Sequence, residues 1–335
     1  MSESRQGNSQ TPSAAGAARH AGYVAIIGPT NAGKSTLLNT IIGRKISIVS
    51  SKVQTTRNRI LGVHTSDKGQ IVFIDTPGYM RRAEHGGLNR LLEKSVSEAV
   101  KEVDLTVLVL DAAAIPMPKL GQVLEPECLF QGFSRKLRQT PDVVLLNKID
   151  LFPRDKLLPI IANLSSSFAK VSVEMSDTAP GEIPVIIPVS AESGDGVDHF
   201  IDYLLKKLPQ GENFFPEDFV TDQEEQFFVT EIIREKAFRL LNKELPYSVA
   251  VCIEHWEETD KGLGIFAEIL VEREGQKKIV IGQGGSKLKA IGSQAREELE
   301  KRFDCRIYLE LRVKVAENWT SSERGWQRAG YRKKL

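Results

Sequence analysis

The feature that most constrains this chain is residues 23–39, which read YVAIIGPTNAGKSTLLN. An apolar run typical of a buried strand leads into a turn of small residues, and a segment typical of a helix follows. The turn fits the pattern G-x-x-x-x-G-K-[ST] with Gly28, Gly33, Lys34 and Ser35. In such a loop, successive backbone N–H groups point at one centre, and the helix adds the positive end of its dipole. The spacing therefore predicts a phosphate-binding loop between a strand and a helix.

Residue chemistry assigns a role to each part of this phosphate loop. Lys34 is expected to reach the β- and γ-phosphates of a nucleotide, and Ser35 is expected to ligate Mg²⁺. The other residues expected to surround the phosphates are Pro29, Thr30, Asn31, Ala32 and Thr36. A glycine-containing turn that fits the pattern by chance is the alternative, and the strand–loop–helix context argues against it.

The size and composition of the chain are those of an ordinary globular protein. Its 335 residues leave room for two domains, each with its own core. Hydrophobic residues make up 41% and charged residues 27%, which argues against extensive disorder. Because the net charge is only +1, binding to nucleic acid would need a locally basic surface. The three cysteines are far apart in sequence, which argues against a zinc site and favours a reducing compartment.

The N-terminal stretch, residues 1–20, is predicted to be a disordered tail. It is rich in Ser, Ala, Gln and Gly and lacks the apolar core of a secretory signal. Arg5 and Arg19, set against the single acid Glu3, leave an organellar transit peptide as the alternative. No run of about 18 apolar residues occurs anywhere, so no membrane-spanning helix is expected.

The polar stretch after the predicted helix, residues 43–58, contains Thr55 and Thr56. A threonine hydroxyl on a loop can join the Mg²⁺ ligands only when a γ-phosphate is present, so such a loop acts as a switch. A T-T-R motif alone is usually just a polar loop, but its position between the phosphate loop and the next strand favours the switch. The sequence leaves open which threonine binds the metal, and we favour Thr56.

A predicted strand at residues 70–74 ends in Asp75, Thr76, Pro77 and Gly78. An acid at the carboxyl end of a strand can face the phosphate loop and hold Mg²⁺ through water, and the Gly78 N–H can sense the γ-phosphate. Alone, these four residues would most often form a turn. Following a phosphate loop by two predicted strands, they indicate a nucleotide site. The predicted catalytic residues are then Lys34, Thr56 and Gly78.

Two further apolar runs, residues 105–111 and 142–146, are typical of strands buried on both faces of a mostly parallel sheet. The second leads into Asn147, Lys148 and Asp150. A carboxylate accepts two hydrogen bonds from guanine N1 and the 2-amino group, and adenine lacks that donor pair. Asp150 therefore predicts selection of GTP over ATP. After one more predicted strand come the last expected contacts to the nucleotide, at Ser190, Ala191 and Glu192.

In this order, the motifs resemble the GTPase domain of the P-loop G proteins. The resemblance implies an α/β domain with a mostly parallel sheet and helices on both faces. One departure concerns mechanism, because Tyr79 stands where the small regulatory G proteins carry a water-orienting glutamine. Slow intrinsic hydrolysis and activation by a partner are therefore expected. Asn31 resembles the asparagine that in some relatives helps hold a potassium ion in place of an arginine finger, so K⁺ is a hypothesised cofactor beside Mg²⁺.

A second domain follows a predicted linker at residues 209–222, which contains two prolines and a glycine. The GTPase domain is therefore expected at residues 21–208, and the second domain, with a C-terminal tail, at residues 223–335. Apolar periodicity in the second domain predicts, in order, a helix at 224–241, strands at 248–254 and 264–272, a helix at 293–303 and a strand at 306–315.

Within this second domain, Gly282-x-x-Gly285 is the signature of a K-homology domain. The glycines let the backbone approach a sugar–phosphate strand, and the next helix N-terminus and the lysines balance its charge. Residues 275–295 contain four lysines and no acid. A bare G-x-x-G is common, but in an α-β-β-α-α-β arrangement it predicts binding of single-stranded RNA over about four nucleotides. The predicted RNA contacts are Lys277, Lys278, Ile281, Gly282, Gln283, Gly284, Gly285, Lys287 and Lys289.

Q-T-T-R and D-T-P-G motifs followed by an α+β type II K-homology domain resemble the Era GTPases. Residues 230–236, 244–249 and 269–282 look like that family almost residue for residue. The resemblance implies a GTP-dependent factor in assembly of the small ribosomal subunit that holds the 3′ end of small-subunit ribosomal RNA. GTP and Mg²⁺ would order the two loops, reposition the second domain and favour capture of RNA.

The expected location is the cytoplasm, in line with the reducing compartment favoured by the cysteines, and the expected form is a monomer. The resemblance also implies peripheral association with the inner membrane. Arg332, Lys333 and Lys334 offer only a weak electrostatic anchor for it.

Two other classes of protein fit parts of the sequence. A metabolic P-loop kinase leaves Asp150 and the second domain unexplained, and a GDP product formed without any acceptor would exclude it. A pure RNA-binding protein with a vestigial GTPase domain would show degraded nucleotide motifs, whereas here all of them are intact. Undetectable hydrolysis even with ribosomal subunits would favour that second class.

Overall fold

The computed structural model describes residues 19–49, 59–78, 96, 98–115, 140–175, 182–242, 245–260 and 262–328. The predicted switch threonines Thr55 and Thr56, and Tyr79, lie outside these ranges, as does nearly all of the predicted N-terminal tail. No helix in the described ranges is both long enough and apolar enough to cross a bilayer.

A six-stranded sheet forms the centre of the first domain. Its strands are β1 (His20–Ile27), β2 (Ile60–Ser66), β3 (Gly69–Asp75), β4 (Leu105–Asp111), β5 (Val143–Asn147) and β6 (Val185–Pro188). Their spatial order is β2-β3-β1-β4-β5-β6. β2 runs antiparallel to β3, and every other neighbouring pair is parallel. The mostly parallel sheet predicted from the sequence is therefore confirmed.

Helices cover both faces of this sheet. They are α1 (Lys34–Ile42), α2 (Leu157–Met175) and α3 (Val197–Lys207). Leu38 of α1 and Phe200 of α3 belong to the core on one face, and Phe168 of α2 belongs to the core on the other. Every residue of β3 and β5 is buried, because neither face of the sheet reaches solvent. Their continuous apolar sequences follow from this double burial.

The parallel strands bring the predicted motifs to one edge of the sheet. The phosphate loop follows β1, Asp75 ends β3 and Asn147 ends β5. β1 lies between β3 and β4, so the strand order reverses beside the phosphate loop. Such a reversal opens a crevice at the carboxyl ends of the strands, where ligands of α/β proteins bind.

The predicted linker, residues 209–222, lies along the first domain. Val63 N donates to Val220 O at 2.8 Å, and Thr221 Oγ1 donates to Leu61 O at 2.6 Å. These two bonds hold the linker on β2, the edge strand of the sheet. The second domain therefore starts from a fixed point on the first domain rather than from a flexible tether.

The second domain has the α-β-β-α-α-β order predicted for it. Its elements are α4 (Glu225–Leu240), β7 (Ala250–Thr259), β8 (Gly262–Val271), α5 (Glu274–Ile281), α6 (Ser286–Phe303) and β9 (Ile307–Val315), followed by α7 (Glu323–Arg328). β8 is central, antiparallel to β7 and parallel to β9. Ile233 of α4 and Ile291 of α6 pack with Ile265 and Ile269 of β8 in one core.

One helix of this domain begins earlier than the sequence pattern predicts. α6 starts at Ser286, directly after the G-x-x-G motif, and not near residue 293. Gly292 lowers the local helix propensity by about 1 kcal/mol relative to alanine. Leu288 and Ile291 pack into the domain core, and a Cβ atom on Gly292 would lie 3.5 Å from the Leu311 side chain. Tertiary packing of the first turns therefore outweighs the local cost of the glycine.

Candidate nucleotide site

The phosphate loop adopts backbone conformations that favour glycine at both motif positions. Gly28 has φ 149° and Gly33 has φ 95°. A Cβ atom on Gly28 would lie 2.3 Å from the Val109 carbonyl oxygen, and one on Gly33 would lie 2.2 Å from the Asn147 side-chain nitrogen. The loop is thus in close contact with β4 and with the end of β5. Steric contact therefore explains why both of these motif positions are glycine.

Lys34 is the buried cation of the site, with 6% of its surface exposed. Its ammonium donates to the carbonyl oxygens of Gly28 at 3.0 Å and Pro29 at 2.9 Å. Burial lowers the pKa of Lys34 to about 8, and the charge of Asp75 opposes this effect. Gly78 lies beside Lys34, since a Cβ atom there would be 2.9 Å from Nζ. The structure therefore brings two of the three predicted catalytic residues together.

Asp75 is fully buried at the end of β3. Its Oδ2 accepts hydrogen bonds from Ser35 Oγ at 2.9 Å and Ser47 Oγ at 3.2 Å, whereas Oδ1 has no hydrogen-bond partner among the described residues. Burial raises the pKa of Asp75, and the charge of Lys34 and the two hydroxyl groups oppose this effect. Mg²⁺ prefers hard oxygen ligands such as these. Ser35 and Asp75 therefore fit the magnesium site predicted from the sequence.

The remaining phosphate-side residues surround this centre. Thr76 Oγ1 donates to Ile26 O at 2.9 Å, which anchors the turn after β3, and Pro77 is buried next to it. A Cβ atom on Gly78 would lie 2.8 Å from Thr30 Cα, so this turn contacts the phosphate loop. Asn31 adopts a left-handed conformation within the loop, with φ 64°. The roles of Thr55 and Thr56 stay predictions, because both lie outside the described residues.

Asn147 joins three parts of the site. Its Nδ2 donates to the carbonyl oxygen of Ala32 in the phosphate loop at 2.8 Å, and its Oδ1 accepts from Ala191 N at 2.9 Å. The side chain is 1% exposed. Nucleotide contacts are predicted from the sequence for Asn147, Ala32 and Ala191. The structure shows that Asn147 also connects the phosphate side of the site to the loop after β6.

The candidate base-binding residues lie next to the hydrogen bonds that Asn147 makes. Asp150 is exposed, and its Oδ1 accepts a hydrogen bond from Ser190 Oγ at 2.6 Å. Lys148 has φ 64° and forms an ion pair with Asp111 at 2.7 Å. A cleft beside α1 is lined by Thr36, Ala191 and Glu192. The structure therefore brings Asp150 into contact with Ser190 and Asn147 into contact with Ala191, whereas Lys148 pairs with Asp111.

Three supporting residues were not predicted from the sequence. Asp111 pairs with Lys148. Its position at the carboxyl end of an apolar strand could have marked it as a residue of the site. Asn39 accepts hydrogen bonds from the backbone of the segment after α1, and Ser47 in that segment donates to Asp75. No sequence motif marks Asn39, whose partners Ile46 and Ser47 follow seven and eight residues later, and the Ser47–Asp75 bond forms only when the segment after α1 packs against β3.

The predicted RNA contacts lie along one continuous segment of the second domain, residues 277–289, whose solvent-facing side we call the GxxG surface. Gly284 and Gly285 have φ 58° and 78°, and a Cβ atom on either would meet no other atom within 4 Å. The backbone is thus open on this side. Residues flanking it on α5 and α6 are Lys277, Lys278, Ile281, Lys287 and Lys289. Ile279, which was not predicted, is 50% exposed on the same surface.

The buried amine of Lys34 generates a pH-dependent stability prediction. The pKa of Lys34 is about 8 in the folded state and 10.5 in the unfolded state. At a pH between these values, the folded state binds fewer protons than the unfolded state. The free energy of unfolding of the wild type should therefore rise relative to Lys34→Met as pH increases across this window, by about 3 kcal/mol. Urea unfolding at several pH values measures the difference, with Lys68→Met, an exposed lysine, as control. A difference that does not change with pH contradicts the prediction.

Two family models match the chain. A model described as 50S ribosome-binding GTPase matches residues 23–148, and a model described as KH domain matches residues 244–320. The first match runs from the strand before the phosphate loop to Lys148. The second contains the whole GxxG surface.

Named relatives match over almost the full chain. GTPase Era of Histophilus somni (strain 129Pt) is 41% identical over 314 residues, which are 93% of this chain and 97% of the relative. GTPase Era of Geobacter sp. (strain M21) is 42% identical over 311 residues, which are 92% of this chain and 97% of the relative.

Two solved structures share both sequence and fold with the chain. A variant of Aquifex aeolicus Era bound to GDP and AlF4⁻ is 36% identical, with a TM-score of 0.81 over 93% of this chain and 99% of that one. Era in complex with MgGDPNP and nucleotides 1506–1542 of 16S ribosomal RNA is also 36% identical, with a TM-score of 0.80 over the same shares. Sequence, domain order and fold thus agree, and the chain belongs to the Era family of GTPases.

Proposed function

We propose that this protein is a GTP-dependent switch that binds the 3′ end of small-subunit ribosomal RNA and assists assembly of the small ribosomal subunit. One observation carries the proposal: the chain combines a loop of phosphate-binding sequence, with Lys34 and Asp75 buried beside it, and an open, lysine-flanked GxxG surface. In the solved Era complex, MgGDPNP and a 16S ribosomal RNA segment are bound to the same protein. That complex supports the assignment of both ligands to this chain.

On the phosphate side, Lys34 is proposed to neutralise charge on the β- and γ-phosphates. A bound triphosphate would raise the pKa of this amine toward its ordinary value, because a nearby anion favours the charged form. Ser35 and, through water, Asp75 would hold Mg²⁺, with Thr56 as a further proposed ligand. When bound, the ion neutralises charge on the phosphate oxygens, and the Gly78 N–H is proposed to sense the γ-phosphate.

On the base side, Asp150 is proposed to select guanine by accepting hydrogen bonds from N1 and the 2-amino group. The hydrogen bond from Ser190, at 2.6 Å, restricts the orientation of this carboxylate. Asn147 places the Ala191 backbone beside it through a 2.9 Å hydrogen bond. Rejection of adenine would then follow, because a site built around specific hydrogen bonds leaves its polar groups unpaired with the wrong base.

An Asp150→Asn variant tests this base selection. The amide oxygen still accepts, but the amide nitrogen donates toward a base edge that also donates. GTP affinity is expected to fall on the order of 100-fold or more, while affinity for xanthosine triphosphate rises, since that base presents an acceptor at position 2. Titration with labelled nucleotides measures both, and Asp155→Asn, an exposed aspartate of the same loop, is the matched control. Unchanged GTP affinity in Asp150→Asn excludes the assignment.

Potassium is proposed as an additional cofactor held near Asn31. The support is the resemblance of Asn31 to the potassium-associated asparagine of related GTPases, together with its place in the phosphate loop. A cation there would stabilise charge that develops during hydrolysis. GTP hydrolysis with Mg²⁺ is therefore expected to be faster in KCl than in NaCl at equal ionic strength. A rate no higher in potassium contradicts the proposal.

The GxxG surface is tested by neutralising one lysine at each end of helix α6. A labelled oligonucleotide of the small-subunit ribosomal RNA 3′ end is titrated against wild type, Lys289→Gln and Lys301→Gln. Lys289 lies on the first turns, beside the GxxG motif, whereas Lys301 is 75% exposed near the last turn. Only Lys289→Gln should weaken binding, with a salt dependence reduced by about 0.7 per lost phosphate contact.

Gly285→Asp serves as the severe variant in the same titration. It places a carboxylate where the backbone is open and where an RNA phosphate is proposed to approach. Binding should then be lost. Equal weakening by Lys289→Gln and Lys301→Gln would mean that the RNA contacts are not localised at the motif.

The cytoplasm is the proposed location, and a monomer is the proposed form. Peripheral association with the inner membrane stays a prediction of the family resemblance. Its candidate anchor residues, Arg332, Lys333 and Lys334, lie outside the described residues.

A further inference from the structure

The two domains contact each other around Lys45, in the loop after α1. Lys45 Nζ donates to Glu235 Oε2 of α4 at 2.6 Å and also to Glu298 Oε1 of α6. Arg302 Nη1 of α6 donates back to the Lys45 carbonyl oxygen at 2.7 Å. The Arg302 guanidinium also lies 3.8 Å from the ring centre of Phe228, which packs with the core of the first domain. Lys45 is therefore bound to the second domain through both its side chain and its backbone.

The same short segment is also bound to the nucleotide site. Asn39 Oδ1 accepts from the backbone N–H groups of Ile46 and Ser47, each at 2.9 Å, and Asn39 Nδ2 donates to Ser47 O at 2.7 Å. Ser47 Oγ in turn donates to Asp75 Oδ2, the oxygen that also accepts from Ser35. Because two hydroxyl groups share one carboxylate oxygen, a change in what Ser35 binds alters the hold on Ser47.

We propose that Lys45 is the positioning residue that transmits the state of the nucleotide site to the second domain. Asp75 accepts a hydrogen bond from Ser47, and Asn39 fixes the backbone next to Lys45 through its hydrogen bond from Ile46 N. Lys45 itself is bound to helices α4 and α6. Helix α6 begins directly after the GxxG motif, so a shift of that helix moves the GxxG surface with it. This inference rests on the proposed function, because it supplies the physical link between nucleotide state and RNA affinity.

The charges around Lys45 are arranged so that this contact can be removed without unfolding the second domain. Glu235 is fully buried, but it also pairs with Arg239 and lies 3.7 Å from Lys236. Burial raises the pKa of Glu298, but hydrogen bonds from Lys236 and Lys45 outweigh this and hold the pKa below its usual value. After loss of Lys45, each carboxylate therefore still has a cation from its own domain and is not left as an unpaired buried charge.

The test is the ratio of RNA affinities in two nucleotide states. Wild type, Lys45→Met and the control Lys68→Met are loaded with a non-hydrolysable GTP analogue or with GDP. Each is then titrated with the small-subunit ribosomal RNA 3′-end oligonucleotide. Lys68 forms an exposed ion pair with Asp202 at 2.6 Å within the first domain, so the control removes a lysine ion pair without touching the second domain.

Wild type and Lys68→Met are expected to share a ratio of about five-fold or more, the size of a typical coupling between sites. In Lys45→Met the ratio should fall to within about two-fold of unity, with affinity for the GTP analogue nearly unchanged. Lys45→Arg keeps the charge and should keep most of the ratio.

A merely structural role for Lys45 gives a different pattern. Affinity would then fall equally in both nucleotide states, the ratio would persist and the unfolding midpoint would drop, and this result overturns the inference. Equal binding by wild type in both states overturns it as well, while RNA binding itself stands. Failure of wild type to bind the oligonucleotide in either state identifies a different fault, because it removes the proposed RNA function on which the inference depends.

Discussion

The hydrogen bonds accepted by the buried carboxylate of Asp75 are the interactions on which the rest of the nucleotide site depends. Asp75 ends a fully buried strand, accepts hydrogen bonds from both the phosphate loop and the segment after α1, and opposes the effect of burial on the pKa of Lys34. No ion pair joins Asp75 to Lys34 within the described residues. Opposite charges that are buried without direct pairing cost stability, and the proposed charged ligands would offset that cost.

The two proposed phosphate-binding sites differ in how deeply their residues are buried. In the first domain, Lys34 and Asp75 are buried, so their charges would act at low dielectric on the proposed nucleotide. In the second, the glycines of the GxxG surface leave the backbone open, and the lysines stand around it. This difference in burial fits the two proposed ligands, because a short nucleotide can be enclosed whereas a polynucleotide must continue past the protein.

Motifs with a fixed local geometry were predictable, and contacts between distant segments were not. The glycines of the phosphate loop, Lys34 and Asp75 lie where their spacing places them, because a strand–loop–helix unit restricts where each side chain can point. Asp111 was missed because its partner Lys148 follows a different strand, and Ser47 was missed because its partner Asp75 ends β3. The early start of α6 was missed because packing on the sheet outweighs the propensity of Gly292.

The sequence by itself determined the two domain types, the residues of the nucleotide motifs and the G-x-x-G motif, since each depends on local spacing and backbone conformation. Only the tertiary structure decided the strand order that gathers those motifs, the brace from Asn147 to Ala32 and Ala191, and the attachment of the linker to β2. It alone placed Lys45 between the domains. The physical reason is that these contacts join residues far apart in the chain, whose pairing is set by the packing of whole elements and leaves no periodic trace in the sequence.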